Sequence, residues 1–375
     1  MNQIANQPAN ESSHHTIATD DRAALRGELQ KFYGRAIEKT TDLETNACCD
    51  VNTMQQHREV VRLIPPRATE KYLGCGSPLP DDLPTLGGLT AVDLGSGSGV
   101  DSMILRAYLG ESGTMIGIDM TDEQLAIARE AGPEFMAKLG YAPESLRFQK
   151  DFIETAESIP DASVDLVISN CVINLSPRKD LVYQTIARIL KPGGEFFISD
   201  IVADRRVELA DDPVLVAECL GLAPYIHDAH DTMFDAGFPD VRVFDRRLLA
   251  ENPRVIQRGE SANFHSVIWR GFKLANMDRR CEDFGQTATY KGNLKSFPKA
   301  TGVGSPARFI LDEGHVFEAG RPAHVCRNTA RMLGESRLAP YFDITPPIRH
   351  FGLFDECSTP AAGAGDSGGF AGSCC

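Results

Sequence analysis

The sequence lacks the features of secreted, membrane-spanning and nucleic-acid-binding proteins. No apolar run approaches the roughly 20 residues of a membrane span, and the N-terminal stretch has neither the cationic nor the apolar region of a signal peptide. No basic run rich in aromatic residues occurs, and 38 basic against 52 acidic residues give a formal charge of −14. This charge disfavours nucleic acid and anionic membranes as partners. We therefore expect a soluble, cytoplasmic protein that begins with a disordered tail.

The ten cysteines also lack the spacing of a zinc ribbon or a thioredoxin-type site. No C-x-x-C motif occurs, and structural disulfides are not expected in the cytosol. Scattered cysteines are most often buried as small hydrophobic residues, and we expect packing or surface roles for Cys281, Cys326 and Cys357. Cys75 differs because it lies between two glycines in a predicted turn. We expect its thiol to be displayed rather than packed.

The stretch 90–120 reads as a strand, a glycine loop, a helix and a second strand. Gly95, Gly97 and Gly99 let the backbone approach a ligand where a Cβ atom would clash. The helix beyond them offers free N–H groups at its N-terminus. Asp119 ends the second strand, where an acidic side chain can accept hydrogen bonds from both ribose hydroxyls.

The glycine loop does not match the dinucleotide fingerprint G-x-G-x-x-G, because no glycine falls at the third position in either frame. The flanking acids Asp93 and Asp101 would repel a pyrophosphate but suit a cationic ligand. S-adenosylmethionine carries a sulfonium and an ammonium and has no phosphate. The loop therefore resembles motif I of the class I methyltransferases, and Asp119 resembles their ribose-binding acid. The alternative is a tight strand–helix turn that binds no ligand.

Strand and helix patterns alternate through the central part of the chain, which predicts a mostly parallel, doubly wound α/β sheet. Cys171 follows a buried fourth strand, so we expect it at the carboxyl edge of the sheet beside the cofactor. A helix is predicted over 211–225, carrying Cys219, and the stretch 241–249 is predicted to be the final strand of the sheet.

The composition and pattern predict five regions. After a disordered tail comes a helical, cysteine-bearing segment and then a cofactor-binding domain of the class I methyltransferase type. A smaller α+β domain follows, whose segments FHSVIWRGFKL at 264–274 and QTATYKGNL at 286–294 alternate like antiparallel strands, and the chain ends in a flexible tail rich in glycine and serine. Their predicted bounds are 1–22, 23–85, 86–250, 251–355 and 356–375.

Several segments together resemble the arsenic(III) S-adenosylmethionine methyltransferases. They are TDLETNACC at 41–49, YLGCGSPLP at 72–80, DLGSGSGVD at 93–101, GIDM at 117–120, NCVINLSPRK at 170–179, LKPGGE at 190–195, AECLG at 217–221 and HVFEAGRPAHVCRNTARML at 315–333. The resemblance implies methylation of thiolate-bound trivalent arsenic, and arsenic detoxification as its purpose. It also implies four functional cysteines, namely Cys48, Cys75, Cys171 and Cys219.

The resemblance assigns roles within this set. Cys171 and Cys219 match the pair that holds arsenic through the later methylation, and Cys75 is a third ligand or a disulfide partner. Cys48 is implied in the first round, although Cys49 could substitute for it. The cofactor is S-adenosylmethionine, the co-substrate is a thiol reductant such as glutathione or thioredoxin, and the protein is expected to be a monomer. The expected cofactor contacts are Tyr72, Asp93, Gly95, Ser96, Gly97, Gly99, Asp101, Asp119, Met120, Asp151, Phe152 and Asn170.

The physical case for arsenic rests on thiol chemistry. Soft thiolates select soft ions, and up to three of them hold trivalent arsenic in a pyramid whose lone pair can attack an activated methyl carbon. Catalysis is then mainly positioning, and no general base is needed because the nucleophile carries no proton. Thiol pairs can give up electrons as disulfides and return the product to the trivalent state, after which an external thiol resets them.

Three features depart from the family pattern. Leu73 replaces a tyrosine, Pro224 follows the AECLG segment, where its fixed φ could shift the neighbouring thiol, and a Cys374–Cys375 pair ends the chain. Two other functions stay open. A methyltransferase acting on carbon or oxygen of a quinone or lipid would need a base such as His227 or Asp228. A non-enzymatic arsenic sensor would need the thiols but not the cofactor loop.

Overall fold

Short helices precede the central sheet in this protein. The computed structural model describes residues 19–36, 52–294 and 306–354. The first elements are α1 (Thr19–Lys31) with a π-helical turn (Phe32–Ala36), α2 (Asn52–Gln56), α3 (Arg58–Val61), α4 (Pro66–Thr69) and a 3₁₀ turn (Leu83–Thr85). Helix α1 begins within the region predicted to be a disordered tail. Cys48, Cys49, Cys357, Cys374 and Cys375 lie outside the described residues.

The central region alternates strands and helices, as the sequence pattern predicts. Its strands are β1 (Thr90–Leu94), β2 (Thr114–Asp119), β3 (Leu146–Lys150), β4 (Val164–Asn170), β5 (Leu190–Ala203), β6 (Val241–Leu248) and β7 (Phe264–Phe272). Its helices are α5 (Val100–Tyr108), α6 (Asp122–Leu139), α7 (Lys179–Ile189), α8 (Pro213–Ala217), α9 (Ile226–Asp235) and α10 (Pro253–Gln257), and 3₁₀ turns lie at Pro143–Ser145 and Ile173–Leu175.

The seven strands form one sheet in the order β3-β2-β1-β4-β5-β7-β6. Strands β1 to β5 pair in parallel, whereas β7 is antiparallel to both of its neighbours. The parallel strands bring the carboxyl ends of β1, β2, β4 and β5 to one edge, where doubly wound sheets bind their ligands.

Both faces of the sheet are covered, which explains the nearly continuous apolar runs of its strands. Val92 and Leu94 of β1 point to the core beneath α7 and α9, whereas Ala91 points to the core beneath α5 and α6. All three side chains are fully buried. The predicted α/β class with a mostly parallel sheet is thus what the chain forms.

Strand β7 differs from the prediction, which assigned its alternating residues to a separate C-terminal domain. It lies inside the main sheet, inserted between β5 and β6, with Ile201 opposite Ser266. The seventh strand along the chain therefore separates β6 from the parallel strands. Alternation alone cannot tell which sheet an antiparallel strand joins. The other domain boundaries stay predictions.

The C-terminal part combines short antiparallel strands with one helix. They are β8 (Glu282–Asp283), β9 (Gln286–Tyr290), β10 (Arg308–Asp312), β11 (His315–Glu318), β12 (Pro322–Val325), α11 (Arg327–Gly334), a 3₁₀ turn (Ala339–Tyr341), β13 (Phe342–Ile344) and β14 (Gly352–Leu353). Arg337 binds this part to the sheet, because its guanidinium donates to the buried carboxylates of Asp82, at 3.0 Å, and Glu195 of β5.

The segment around Cys219 also differs from the prediction. Helix α8 begins after Asp212, whose Oδ1 accepts hydrogen bonds from Val214 N and Leu215 N. It ends at Ala217, so Cys219 lies beyond the helix rather than within it. In the described ranges, no helix has both the length and the apolar character needed to cross a bilayer.

Candidate active site

The glycine loop follows β1 and turns the chain into α5. Gly95, Gly97 and Gly99 have φ angles of 79°, 49° and 85°, which side-chain-bearing residues rarely adopt. A Cβ atom at Gly95 would lie 2.5 Å from Val172, and one at Gly99 would lie 2.6 Å from the Phe148 ring. The loop therefore requires glycine for both its conformation and its packing.

Asp119 joins the loop to the end of β2. Its carboxylate accepts hydrogen bonds from Gly97 N at 2.9 Å and Thr121 N at 2.8 Å. Burial raises the pKa of Asp119, and these backbone donors offset part of the rise. A carboxylate has about four acceptor positions, so the two backbone bonds leave capacity for ligand hydroxyls.

A cavity opens at this carboxyl edge, and all but one of the predicted cofactor residues line it. The exception is Gly99, whose role is to pack the loop. The predicted residues that line the cavity are Tyr72, Asp93, Gly95, Ser96, Gly97, Asp101, Asp119, Met120, Asp151, Phe152 and Asn170. Leu73, the departure from the family pattern, lines it too.

Two buried polar atoms in the cavity wall fit a polar ligand. Ser96 Oγ and Gln124 Oε1 are inaccessible to solvent, and neither has a hydrogen-bond partner among the residues that the structure describes. Buried polar groups without a partner are costly and call for an explanation. Together with Asp119, these atoms provide acceptors or a donor for the hydroxyl and amino groups of an adenosine derivative.

Two buried acids give the cavity its preference for a cation. Burial raises the pKa of Asp93 to about 8, and the nearby Asp101 charge adds to the rise. Burial also raises the pKa of Asp101 to about 6, although hydrogen bonds from Asn170 and Tyr72 oppose it. A bound cation would stabilise both ionised carboxylates. The acids thus fit the sulfonium and ammonium of S-adenosylmethionine.

Helix α1 covers the cavity, a role that the sequence did not indicate. Leu25 and Leu29 of this helix and Tyr33 just after it line the cavity. The Tyr33 hydroxyl donates to the carbonyl of Ala217, and Gln30 Nε2 donates to Met120 O at 3.1 Å. The helical spacing of the apolar residues predicted a packed face, but it carried no signal of what that face would cover.

Three cysteines from distant segments lie close to one another at the cavity. The Sγ atoms of Cys75 and Cys171 and a carboxylate oxygen of Asp200 lie within 4.8 Å of one another. The Cys219 thiol donates to the carbonyl of Cys171 at 3.0 Å. Cys171 lines the cavity, whereas Cys75 and Cys219 are not among the described lining residues. The structure therefore brings the thiols of Cys75 and Cys171 together and places the Cys219 thiol against the Cys171 backbone, and the assignment of the three as arsenic ligands stays a prediction.

The backbone at two of these thiols is strained. Cys171 and Cys219 have φ angles of 57° and 66°, in the left-handed region that is unfavourable for residues with a Cβ atom. Such conformations persist where the surrounding structure enforces them, and they are frequent at functional sites. Cys171 N is held by Ser199 O at 2.8 Å. Nothing in the sequence signalled this strain.

Cys75 is fully buried, so the expectation of a displayed thiol was wrong. The flanking glycines serve close packing instead, because a Cβ atom at Gly74 would lie 2.6 Å from Asn170 Nδ2 and one at Gly76 would lie 2.4 Å from Ser199 Oγ. Cys75 N donates to Asn170 Oδ1 at 3.1 Å, and the thiol lies 3.5 Å from Ser199 Oγ.

Strands β6 and β7 hold the carbonyl of Cys75. Ser266 Oγ of β7 donates to it at 2.6 Å, and Arg247 Nη2 of β6 donates to it at 3.3 Å. Asn170, at the end of β4, links the same loop to the cofactor side, because its Nδ2 donates to Gly76 O at 2.9 Å and to Asp101 at 2.8 Å. The Asn170 side chain thus connects the loop that carries Cys75 with the buried acid Asp101.

Sequence reasoning missed two charged groups beside the thiols. Burial raises the pKa of Asp200 to about 8, with a further rise from the charge of Cys219. Burial lowers the pKa of Lys179 to about 8. Asp200 ends the segment EFFISD at 195–200, which was predicted to be a fifth strand, and Lys179 belongs to the segment NCVINLSPRK, but neither residue was singled out for a role.

The two candidate bases of the alternative methyltransferase function contact other side chains. His227 packs its ring against Tyr225 at 5.0 Å, and Asp228 forms an ion pair with Arg206 at 2.6 Å. Neither His227 nor Asp228 is among the described residues that line the cavity.

The remaining described cysteines lie in the C-terminal part. Cys326 is buried with a free thiol and caps α11, as its expected packing role allows. Cys281 is buried but takes part in a disulfide, which differs from the packing or surface role that we expected. Spacing in the sequence gave no indication of this bond, because the connectivity of scattered cysteines depends on the fold.

Comparison with known proteins agrees with this geometry. A family model for a methyltransferase domain matches residues 86–237. The arsenite methyltransferase of Aquipseudomonas alcaligenes is 39% identical over 340 residues, covering 89% of this chain and 94% of that protein. The human arsenite methyltransferase is 31% identical over 334 residues, covering 86% of this chain and 84% of that protein.

A solved structure extends the similarity to the fold. The crystal structure of CrArsM, an arsenic(III) S-adenosylmethionine methyltransferase from Chlamydomonas reinhardtii, matches with a TM-score of 0.73 and 38% identity, and the match covers 80% of this chain and 99% of that one. The predicted class I methyltransferase fold is confirmed. By sequence and by structure, this chain belongs to the arsenite methyltransferase family.

Proposed function

We propose that this enzyme methylates trivalent arsenic that is bound by the thiolates of Cys75, Cys171 and Cys219. The observation that carries the proposal is that the thiols of Cys75 and Cys171 lie close together beside the cavity, with the Cys219 thiol against the Cys171 backbone. The Cys75 and Cys171 sulfur atoms lie within 4.8 Å of each other, and the Cys219 thiol donates to the Cys171 carbonyl. Trivalent arsenic is thiophilic and needs up to three such ligands.

The methyl donor is S-adenosylmethionine, which supplies an electrophilic methyl carbon on a sulfonium when it is bound. Asp119 would accept hydrogen bonds from the ribose, Asp93 and Asp101 would face the cationic groups, and Asp151 and Phe152 would hold the adenine. Asp151 and Phe152 line the same cavity as the other three. Cys171 lines it as well, which supports a short path between the donor and the metalloid.

The chain contributes positioning and exclusion of water rather than a base. Three thiolates hold arsenic with its lone pair free, and this lone pair is the nucleophile, so no proton has to be removed. The thiols are nearly inaccessible to solvent, with 0%, 6% and 0% exposure for Cys75, Cys171 and Cys219. Such burial protects the bound arsenical from hydrolysis.

Methylation raises arsenic from the trivalent to the pentavalent state. Two thiolates of the site then lose one electron each and form a disulfide, and the two electrons return arsenic to the trivalent state. An external thiol, of the glutathione or thioredoxin class, reduces the disulfide by exchange and is itself oxidised. Cys48 acts in the first methylation in this proposal, by its resemblance to the family.

The proposal places the enzyme in the cytoplasm as a monomer that serves arsenic detoxification. Its support is that the thiols of the site have to return to the reduced state after each turnover, and cellular thiols in the cytoplasm keep cysteines reduced. Light scattering of the purified protein tests the monomer.

The deciding experiment is methylation of arsenite and of methylarsenite by the purified chain, with glutathione and with or without S-adenosylmethionine. We expect methylated products only with the methyl donor. Cys171→Ser should reduce the rate for both substrates by roughly 10²-fold or more, because a lost ligand misplaces the arsenic. Cys326→Ser is the matched control, because this thiol is also buried and free but lies elsewhere. Full activity of Cys171→Ser would refute the ligand assignment.

A further inference from the structure

The Asp200 carboxylate lies beside two of the thiols, and these three groups have the chemistry of a metal-binding site. Cys75 Sγ, Cys171 Sγ and an oxygen of Asp200 all lie within 4.8 Å of one another, and the three residues are buried. A tetrahedral ion with bonds of about 2.3 Å to sulfur spaces two thiolates about 3.8 Å apart. Shifts of about 1 Å or less would therefore close these donors around an ion.

The Asp200 carboxylate is fixed in direction before any ligand binds. Its Oδ1 accepts a hydrogen bond from Ile201 N at 2.8 Å, and its Oδ2 accepts one from Asn174 N at 3.0 Å. Each oxygen keeps a second acceptor position that can bind a cation. Hydrogen bonds of this kind orient a ligating carboxylate and raise its affinity for a metal.

We propose that Cys75, Cys171 and Asp200 form a site for a thiophilic divalent cation such as zinc or cadmium, which competes with trivalent arsenic for two of its thiols. The cation site stands on the geometry of these three residues. The consequence that the cation blocks methylation rests, in addition, on the proposed function.

The two ligands would use the site in different ways. Trivalent arsenic takes up to three thiolates and keeps a lone pair in the fourth direction, so it does not require Asp200. A zinc or cadmium ion takes four donors, which would be the two thiolates, the carboxylate and either water or Cys219. The Cys219 thiol is close, because it donates to the Cys171 carbonyl. Asp200 would therefore discriminate between the two ligands.

The charges at the site favour a divalent cation over a monovalent one. Two thiolates and a carboxylate carry three negative charges. Lys179 is near enough for its charge to interact with Asp200 and Cys219, and its Nζ donates to Ser176 O at 3.1 Å. A dication and Lys179 together neutralise the three anionic donors, and buried charges are tolerated only when they are balanced in this way.

The experiment measures protection of individual thiols in the full chain, with cadmium chloride as the probe. The reduced protein is treated with a small thiol-modifying reagent, and the modification rate of each cysteine is read by mass spectrometry. We expect cadmium to slow modification of Cys75 and Cys171 at least about tenfold, as for a metal ligand. The rate at Cys326, a buried free thiol outside the site, should not change.

Asp200→Asn separates the two ligands. In this variant the cadmium concentration needed for protection should rise about tenfold or more, whereas the arsenite concentration needed to protect Cys75 and Cys171 should stay the same. Asp204→Asn, in the same segment but paired with Arg205 and Asn263, is the control and should behave as wild type. Equal protection by cadmium in wild type and Asp200→Asn would overturn the site.

A second measurement does not depend on the fold of the Asp200 variant. X-ray absorption at the cadmium edge is recorded with one equivalent of cadmium on the full chain in which Cys48, Cys49, Cys374 and Cys375 are serine. Two or three sulfur ligands together with oxygen would support the site, and four sulfur ligands would overturn it. Failure of arsenite methylation, by contrast, would count against the proposed function and leave the cation site intact.

Discussion

At the scale of single residues, Cys171 and Cys219 occupy backbone conformations that only glycine adopts freely. Their φ angles of 57° and 66° cost roughly 1 kcal/mol each relative to the right-handed region. No turn motif in the sequence predicts this conformation for either residue. The simplest physical account is that the position of the sulfur atom matters more than the conformational energy, as at other strained functional sites.

This account predicts an order of stability for variants at Cys219. Glycine relieves the strain and alanine does not, so Cys219→Gly should be more stable than Cys219→Ala by about 1 kcal/mol. Both lose the same buried sulfur atom. Urea unfolding followed by circular dichroism gives the difference. An alanine variant that is the more stable of the two would show that the left-handed conformation carries no strain.

A second residue-scale prediction concerns the pH dependence of cofactor binding. A cation binds the ionised form of Asp101, whose pKa in the free protein is raised by burial to about 6. The dissociation constant for S-adenosylmethionine should therefore rise as the pH falls through 6, by about tenfold between pH 6 and pH 5 at the limit. Calorimetric titrations at several pH values measure it.

The control for this titration is Asp101→Asn, which should bind more weakly at pH 7 and lose most of the pH dependence below 6. A dissociation constant that stays constant from pH 7 to pH 5 in the wild-type chain would contradict a role for Asp101 opposite the cation.

Single site residues could be predicted from the sequence where a suitable residue type stands at a characteristic distance from a strand. Asp119 and the loop glycines follow a strand at a characteristic spacing, and Cys171 directly follows another strand. Asp200 could not be predicted, because its meeting with Cys75 depends on the order of strands in the sheet. The sequence also could not predict that Cys75 is buried, because the groups that cover it come from β4, β5 and β7.

At the scale of secondary-structure elements, α1 stands out because it closes the cavity from outside the sheet. Tyr33, just after α1, bonds to Ala217 near Cys219, and Gln30 bonds to Met120 at the end of β2. The helix and the turn after it therefore contact both the end of β2, beside the predicted cofactor residues, and the segment next to Cys219. A cofactor bound in the cavity would contact this helix through Leu25 and Leu29.

Tyr33→Phe should loosen this cover without emptying the core. Loss of one hydrogen bond of about 1 kcal/mol would raise the rate of cofactor dissociation roughly fivefold. Stopped-flow fluorescence with a competing ligand measures this rate. Tyr341→Phe, in the C-terminal part, is the matched control and should dissociate like wild type. Identical rates for Tyr33→Phe and wild type would exclude a covering role for the hydroxyl.

Helices and strands could be predicted where the apolar periodicity was strong. The prediction failed where tertiary contacts determine the end of a helix or the sheet that a strand joins. The alternation of strands and helices from β1 to β5 was evident from apolar runs and turn residues. Helix α8 is shorter than its apolar pattern predicted, because Cys219 leaves the helical region two residues after Ala217. Strand β7 was recognised as a strand, but its sheet could not be assigned from alternation.

At the scale of the whole molecule, a buried ion network ties the C-terminal part to the sheet. Arg337 and Arg270 share the carboxylates of Asp82 and Glu195, with Arg270 Nε donating to Glu195 at 2.9 Å. All four side chains are buried or nearly so. None of its four residues is among the described residues that line the cavity, so we expect the network to contribute to stability.

Arg337→Met should destabilise the whole protein by about 3 kcal/mol, because it leaves buried carboxylates with too little positive charge. Thermal unfolding should show a lower midpoint, while the dissociation constant for S-adenosylmethionine stays the same. Arg321→Met is the control, because its ion pair with Glu318 is exposed and contributes little. A variant at Arg337 as stable as wild type would show that Arg270 alone balances the network.

Strands β6 and β7 begin beyond residue 237, where the match to the general methyltransferase domain ends. Through Arg247 and Ser266 they fix the carbonyl of Cys75. Grafting three cysteines onto another enzyme that has only the parallel part of this sheet would transplant the sulfur atoms without the scaffold that orients one of them. A designer who wants to redirect such an enzyme towards metalloids should therefore extend the sheet first and add the cysteines afterwards.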